Sequence, residues 1–143
     1  SAYFEQHRQQ YYDLLLAVSE RGAWQEWASF FLHGVESQAK DAIWRIKKLQ
    51  DLQQQWHDRL REERAAGTAM HLLDHLFANP ILTIPQASQF LGMTYRATKR
   101  HVEKLVDLGI LRQVGEGSYD RQFAANEILE IIIEDDRNIN YTY

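Results

Sequence analysis

The sequence predicts a mainly α chain: a helical unit over residues 1–64, then a second domain over 68–143 that carries a small β-hairpin. Three observations lead there. Of 143 residues, 7 are Gly and 2 are Pro, too few for a loop-rich or all-β chain. Apolar residues recur at helical spacing through most of the first unit. After Gly109 the apolar period changes from helical to extended. The length suits one ordinary domain or two small ones.

Residues 2–21 read as a first helix, with Tyr3, Phe4, Tyr11, Tyr12, Leu14, Leu15, Leu16 and Val18 as its apolar positions. Gly22 is its expected stop, since glycine enters the left-handed conformation without steric cost. A second helix begins near Trp24 and meets no proline before Pro80. Within it Val35, Ala39, Ala42, Ile46, Leu49, Gln53, Trp56 and Leu60 alternate steps of four and three. That is an a/d heptad register, with Gln53 its one polar member. Trp24, Trp27, Phe30 and Phe31 load its start, and Gly34, at about 1 kcal/mol relative to Ala, marks a candidate break. The register runs out in RLREER (residues 59–64) followed by Ala65, Ala66 and Gly67, which places the domain boundary at 62–67.

Beyond it, Thr68 is the expected cap of a helix to about Ala78, which Asn79-Pro80 terminates. Ile81-Leu82 is a short apolar stretch. Thr83 and Gln86 have capping-box spacing, with Pro85 tolerated in the first turn. The helix they open carries Ala87, Phe90 and Leu91 inward and stops at Gly92. Thr94 then caps a helix from Tyr95 to Leu108, which Gly109 ends. Two segments, 110–114 and 119–123, flank the turn Gly115-Glu116-Gly117-Ser118 as a hairpin. Asn126 caps a last helix to about Ile133, and residues 134–143 read as a frayed tail. Helices joined by a tight glycine turn and followed by a hairpin make a winged helix-turn-helix.

Function is read first by exclusion. With no cysteine, disulfide scaffolds, thiol catalysis and Cys-ligated metal sites are ruled out. No apolar run approaches the roughly 20 residues that cross a bilayer, and the opening SAYFEQHRQQYY is no signal peptide, so a cytoplasmic chain without a membrane partner is expected. His71 and His75 stand four apart on one helix but lack HExxH context and a third ligand; a packed or exposed pair, not a metal site, is expected. No GxSxG, GxxxxGK[ST] or GxGxxG occurs, and Glu62-Glu63 and Asp135-Asp136 lie in hydrophilic stretches. No catalytic residue and no cofactor is expected in this chain.

Charge carries the positive signal. The chain bears −4 overall, from 16 Lys+Arg against 20 Asp+Glu. Yet from 94 to 112, Arg96, Lys99, Arg100, Lys104 and Arg112 outnumber Glu103 and Asp107, a local +3. On that helix Thr98, Val102, Leu105 and Leu108 form the apolar face, and Tyr95, Arg96, Lys99, Arg100 and Glu103 the other. Arg reads guanine O6 and N7 bidentately, and Lys and Arg neutralise phosphate. Thr94 with the helix N-terminus suits a backbone phosphate. Arg112 and Arg121 lie on the hairpin, where a wing meets flanking DNA. Double-stranded DNA is thus the expected partner, through Thr94, Tyr95, Arg96, Lys99, Arg100, Arg112 and Arg121. The alternative is a protein-interaction or dimerisation module whose cations merely solvate a helix. Ile43 and Trp44 beside Ala42 and Ile46 exceed what the first helix covers, so the 24–64 helix is expected to form a homodimer or meet a larger domain upstream.

The N-terminal half resembles the C-terminal end of the Fic/DOC (filamentation induced by cAMP) domain. The resemblance rests on Tyr3-Phe4-Glu5, His7-Arg8, Tyr11-Tyr12-Asp13, Ala17-Val18-Ser19-Glu20-Arg21-Gly22, Trp24, Trp27, Phe30-Phe31-Leu32, Gly34-Val35 and Gln38-Ala39. It covers about residues 1–64, and a winged helix often closes such chains. It implies a regulatory or targeting fragment of a longer protein adenylyltransferase, whose ATP, Mg and remaining Fic domain belong upstream. The family's catalytic HPFxxGNGRxxR and its inhibitory helix motif are missing from this sequence, so no catalytic residue carries over.

Overall fold

The structure, a computed structural model, describes residues 2–65, 67–115 and 121–133. The fold is mainly helical with one three-stranded antiparallel sheet. In order, the described elements are α1 (Ala2–Gln6), α2 (Arg8–Arg21), α3 (Trp24–Glu62), α4 (Gly67–Leu76), β1 (Ile81–Thr83), α5 (Ile84–Leu91), α6 (Tyr95–Asp107), β2 (Arg112–Val114), β3 (Gln122–Ala124) and α7 (Asn126–Ile133). Among the described residues no helix is long and apolar enough to cross a membrane. The chain groups into two compact units that divide between Ile46 and Lys47.

In the first unit, the single helix expected over 2–21 is two. His7 leaves helical geometry (φ −106°, ψ 30°), and its imidazole Nδ1 bonds the Tyr3 carbonyl at 2.9 Å. Gly22, at φ 67°, ends α2 as expected: its N–H donates to Val18 O, and Ala23 N–H to Ala17 O. Gly34 does not break α3. Tyr3 and Phe4 lie directly over it, and a Cβ there would stand 2.7 Å from Phe4 Cζ and 2.8 Å from Tyr3 Cδ1. The glycine answers a close approach of aromatic rings, not a bend. Phe4 stacks on Phe31 and meets Phe30 edge-on, and Phe30 is the buried centre of this cluster. Around it Tyr12, Leu16, Trp24, Leu32, Val35, Ile43 and Ile46 remain exposed.

The second unit owns the C-terminal part of α3. Leu52, Trp56 and Leu60 are buried in one cluster with Leu72, Leu73 and Leu76 of α4, Val102 and Leu105 of α6, Phe123 and Ile128. The units therefore divide upstream of the 62–67 stretch, because those three side chains belong to the second core. Four polar ties fix the same segment. Asp74 Oδ1 accepts from Gln53 Nε2 at 2.8 Å and pairs with His57 Nε2 at 2.7 Å. Arg59 donates to the Leu108 carbonyl at 2.9 Å, and Lys104 pairs with Glu63 at 2.7 Å. Gln53, the polar member of the seam, thus sits where α4 offers it a carboxylate.

Several local expectations shift. Helix α4 starts at Gly67 and ends at Leu76, so Thr68 lies inside it rather than capping it. Ile81-Leu82 form a strand: β1 pairs with β3 (Leu82 with Phe123), giving the order β1-β3-β2. Gly109 (φ 71°) turns the chain so that Ile110 and Leu111 enter the core, and β2 begins only at Arg112. β3 likewise begins at Gln122, while residues 116–120, which hold most of the expected turn and the start of its second strand, lie outside the described residues, as does the tail 134–143. Asn126 is the first residue of α7, not the residue before it. The Thr83–Gln86 capping box forms as expected, with Gln86 N–H donating to Thr83 Oγ1 at 3.3 Å and Thr83 N–H to Gln86 Oε1 at 2.8 Å.

Candidate nucleic-acid interface

Helices α5 and α6 are joined by Gly92, left-handed at φ 62°, then Met93 and Thr94. Thr94 Oγ1 accepts from Ala97 N–H at 3.4 Å, so its hydroxyl caps α6. From this start α6 buries Thr98, Val102 and Leu105, at steps of four and three, against the second core. Leu108 is only half-buried. Helical geometry then turns Tyr95, Arg96, Lys99 and Arg100 outward, and all four are exposed. Arg112 on β2 and Arg121, next to β3, are exposed as well.

The structure brings some of these residues together and leaves others apart. Tyr95, Lys99 and Arg121 share a cleft of about 500 Å³ with Glu103, Asp107 and Gln113, floored by Ile84, Pro85 and Phe123. Arg96, Arg100 and Arg112 lie outside that cleft. Lys99 Nζ approaches Glu103 Oε1 at 3.5 Å with both side chains about half exposed, a contact that water weakens. The sequence count of local charge also needs correcting. Lys104 pairs with Glu63, and that hydrogen bond, then the ammonium's charge, holds the Glu63 carboxyl below its usual range. Among the cations of α6 that leaves Arg96, Lys99 and Arg100, all in its N-terminal half, with Glu103 and Asp107 in its C-terminal half. The cleft contribution of Gln113 and Pro85 was not visible in the sequence, because it depends on β2 and α5 meeting α6.

The other titratable groups are tied into packing. Burial would raise the Asp74 carboxyl, but the hydrogen bonds from His57 and Gln53 outweigh it and the net shift is downward. His75 stacks on Phe90 at 3.8 Å, with His71 edge-on to the same ring at 4.8 Å. Burial, then the neighbouring His71, pushes His75 below the usual imidazole range. Phe90 itself, expected in the core, is 37% exposed and serves this histidine pair instead. Among the described residues no group of three His, Asp or Glu side chains is placed to hold a metal ion. A larger groove, about 930 Å³, runs between Lys48, Asp51 and Leu52 and the Leu129–Ile133 side of α7, and none of the basic residues of α6 lines it. No protein-family model matches the chain.

Proposed function

We propose that residues 67–133 form a winged helix-turn-helix that binds double-stranded DNA, as the C-terminal regulatory or targeting part of a longer Fic-like protein adenylyltransferase. One observation carries this reading: Arg96, Lys99 and Arg100 project from the first half of α6, opposite the buried Thr98, Val102 and Leu105. Cations concentrated at the start of a helix add to the positive end of its dipole, and both favour phosphate. The carboxylates Glu103 and Asp107 sit farther along, so the N-terminal end is the one that enters a major groove. Arg96, Lys99 and Arg100 would contact base edges and phosphates, Tyr95 would pack against the backbone, and Thr94 would present the helix N-terminus. Arg112, on the outer strand β2, and Arg121, beside the central strand β3, would meet the neighbouring backbone. AMP transfer, with its ATP and Mg, would belong to the parent's catalytic domain and not to this chain. The aromatic cluster that covers Gly34 uses Tyr3, Phe4, Phe30 and Phe31, residues that also carry the Fic resemblance, so the resemblance falls on packing positions.

The test is duplex binding measured against salt. Displaced counterions make a phosphate reader lose affinity steeply as salt rises. Arg96→Ala and Lys99→Ala should each weaken binding by about 1–3 kcal/mol. Undetectable duplex binding at low salt would sink the DNA reading. The mixed cleft, in which Lys99 and Arg121 face Glu103 and Asp107, favours the second reading in that case: a docking module that recognises a protein surface of both charges.

A further inference from the structure

Two contacts, four residues apart on each helix, lay the end of α3 along the C-terminal half of α6. Arg59 Nη1 donates to the Leu108 carbonyl at 2.9 Å, and one turn on Lys104 Nζ donates to Glu63 Oε2 at 2.7 Å. Residue number rises on α3 as it falls on α6, so the two segments pass antiparallel. Glu63 is the first residue after α3, and its N–H still donates to the Arg59 carbonyl at 3.3 Å. Its carboxylate is therefore held beside α6 by the last turn of α3 and by Lys104 together.

Lys104 is the third member of a row. Arg96, Arg100 and Lys104 follow one another at steps of four, which places them along one ridge of α6. The structure treats the three unequally. Arg96 and Arg100 have no hydrogen-bond or ion-pair partner among the described residues, whereas Lys104 is spent on Glu63. The neighbouring cations of α3 are engaged elsewhere: Arg59 on the Leu108 carbonyl, and Arg61 on Asp58 at 2.8 Å. We infer that Glu63 acts as a brake on duplex binding, by withholding Lys104 from a DNA phosphate that it would otherwise neutralise. This rests on the reading of α6 as the helix that meets DNA. Water reaches both side chains, Lys104 being 36% exposed and Glu63 50%, so a phosphate can compete for the ammonium. Exposed ion pairs are worth little, and the brake is correspondingly mild, roughly twofold to fivefold in affinity.

Fluorescence anisotropy of a labelled duplex of mixed sequence, titrated with the full chain at several salt concentrations, reads the brake directly. Glu63→Gln keeps the shape of the side chain and removes its charge. It should bind roughly twofold to fivefold tighter at low salt. It should also steepen the fall of log K with log salt by about 0.9, the mark of one more phosphate neutralised. Adding Lys104→Gln to Glu63→Gln should abolish both changes. A tie that served only to hold α3 against α6 would lower the urea midpoint in Glu63→Gln without steepening the salt dependence, and that result overturns the brake. Affinity and slope unchanged in Glu63→Gln, while Arg96→Ala still weakens binding, overturns the brake and leaves the DNA reading standing. A gain that survives Lys104→Gln overturns it as well, since Glu63 would then act by its own repulsion of DNA. Absence of duplex binding by both the unaltered chain and Glu63→Gln overturns the brake and the DNA reading together.

Discussion

Cutting the chain at residue 67, where the charged run and small residues suggest a domain boundary, removes Leu52, Trp56 and Leu60 from the second core. All three are buried, Trp56 and Leu60 completely. Each leucine contributes about 1.5–3 kcal/mol by burial. Deleting a buried tryptophan costs about 3–5 kcal/mol, partly offset because its indole N–H has no hydrogen-bond partner here. The loss is then about 5–10 kcal/mol before the Gln53, His57, Arg59 and Glu63 ties are counted, against a typical domain stability of about 5–15 kcal/mol. Residues 67–143 alone should therefore be unfolded or molten, whereas residues 47–143 should fold cooperatively. Urea denaturation followed by circular dichroism, with amide dispersion in two-dimensional NMR, distinguishes the two. If 67–143 unfolds cooperatively with a stability within about 1 kcal/mol of 47–143, the assignment of the α3 C-terminus to the second core is refuted.

Further outcomes follow from single sites. Gly34→Ala gains about 1 kcal/mol of helix propensity but drives a methyl into Phe4, an overpacking cost of about 1–3 kcal/mol. A net loss is expected in thermal denaturation, reduced but not abolished when Phe4→Leu removes one of the two rings, since Tyr3 Cδ1 still stands 2.8 Å from the added Cβ. Thr98 is fully buried with its hydroxyl unpartnered, so Thr98→Val should stabilise the second unit by about 1 kcal/mol, read as a higher urea midpoint. Acid should weaken the second unit in two steps. His75 titrates below its ordinary value of 6.5 in the folded state, so stability is intact above pH 6.5 and falls as pH drops through the lowered pKa. Asp74 is also lowered, from 3.8, and its contribution disappears as pH falls below that value. A melting-temperature profile against pH should lose its first step in His75→Gln and keep its second.

Much of this was legible locally. Caps and stops are short-range chemistry: Gly22, Gly92 and Gly109 take positive φ where their neighbours end helices, and Thr83 and Gln86 close their box across three residues. The buried face of α6 followed from spacing alone, and so did its exposed basic face. Less legible were features that need a partner distant in sequence. Leu82 reads as a bare apolar residue until Phe123 arrives beside it as a strand. Lys104 reads as part of a basic surface until Glu63 neutralises it. Gly34 reads as a helix breaker until Tyr3 and Phe4 fill the space its missing side chain leaves.

By itself, then, the sequence determined the helical class, the glycine stops at Gly22, Gly92 and Gly109, and which side of α6 is basic. These depend on backbone preference and on periodicity within a few turns, and no fold is needed to express them. Only the tertiary structure decided where the heptad seam of α3 is covered and where it is bare. A stripe of apolar residues states that something must cover it. What covers it depends on which surfaces the rest of the chain brings near: α4 and α6 bury Leu52, Trp56 and Leu60, and none of the described residues does the same for Val35, Ala42 and Ile46.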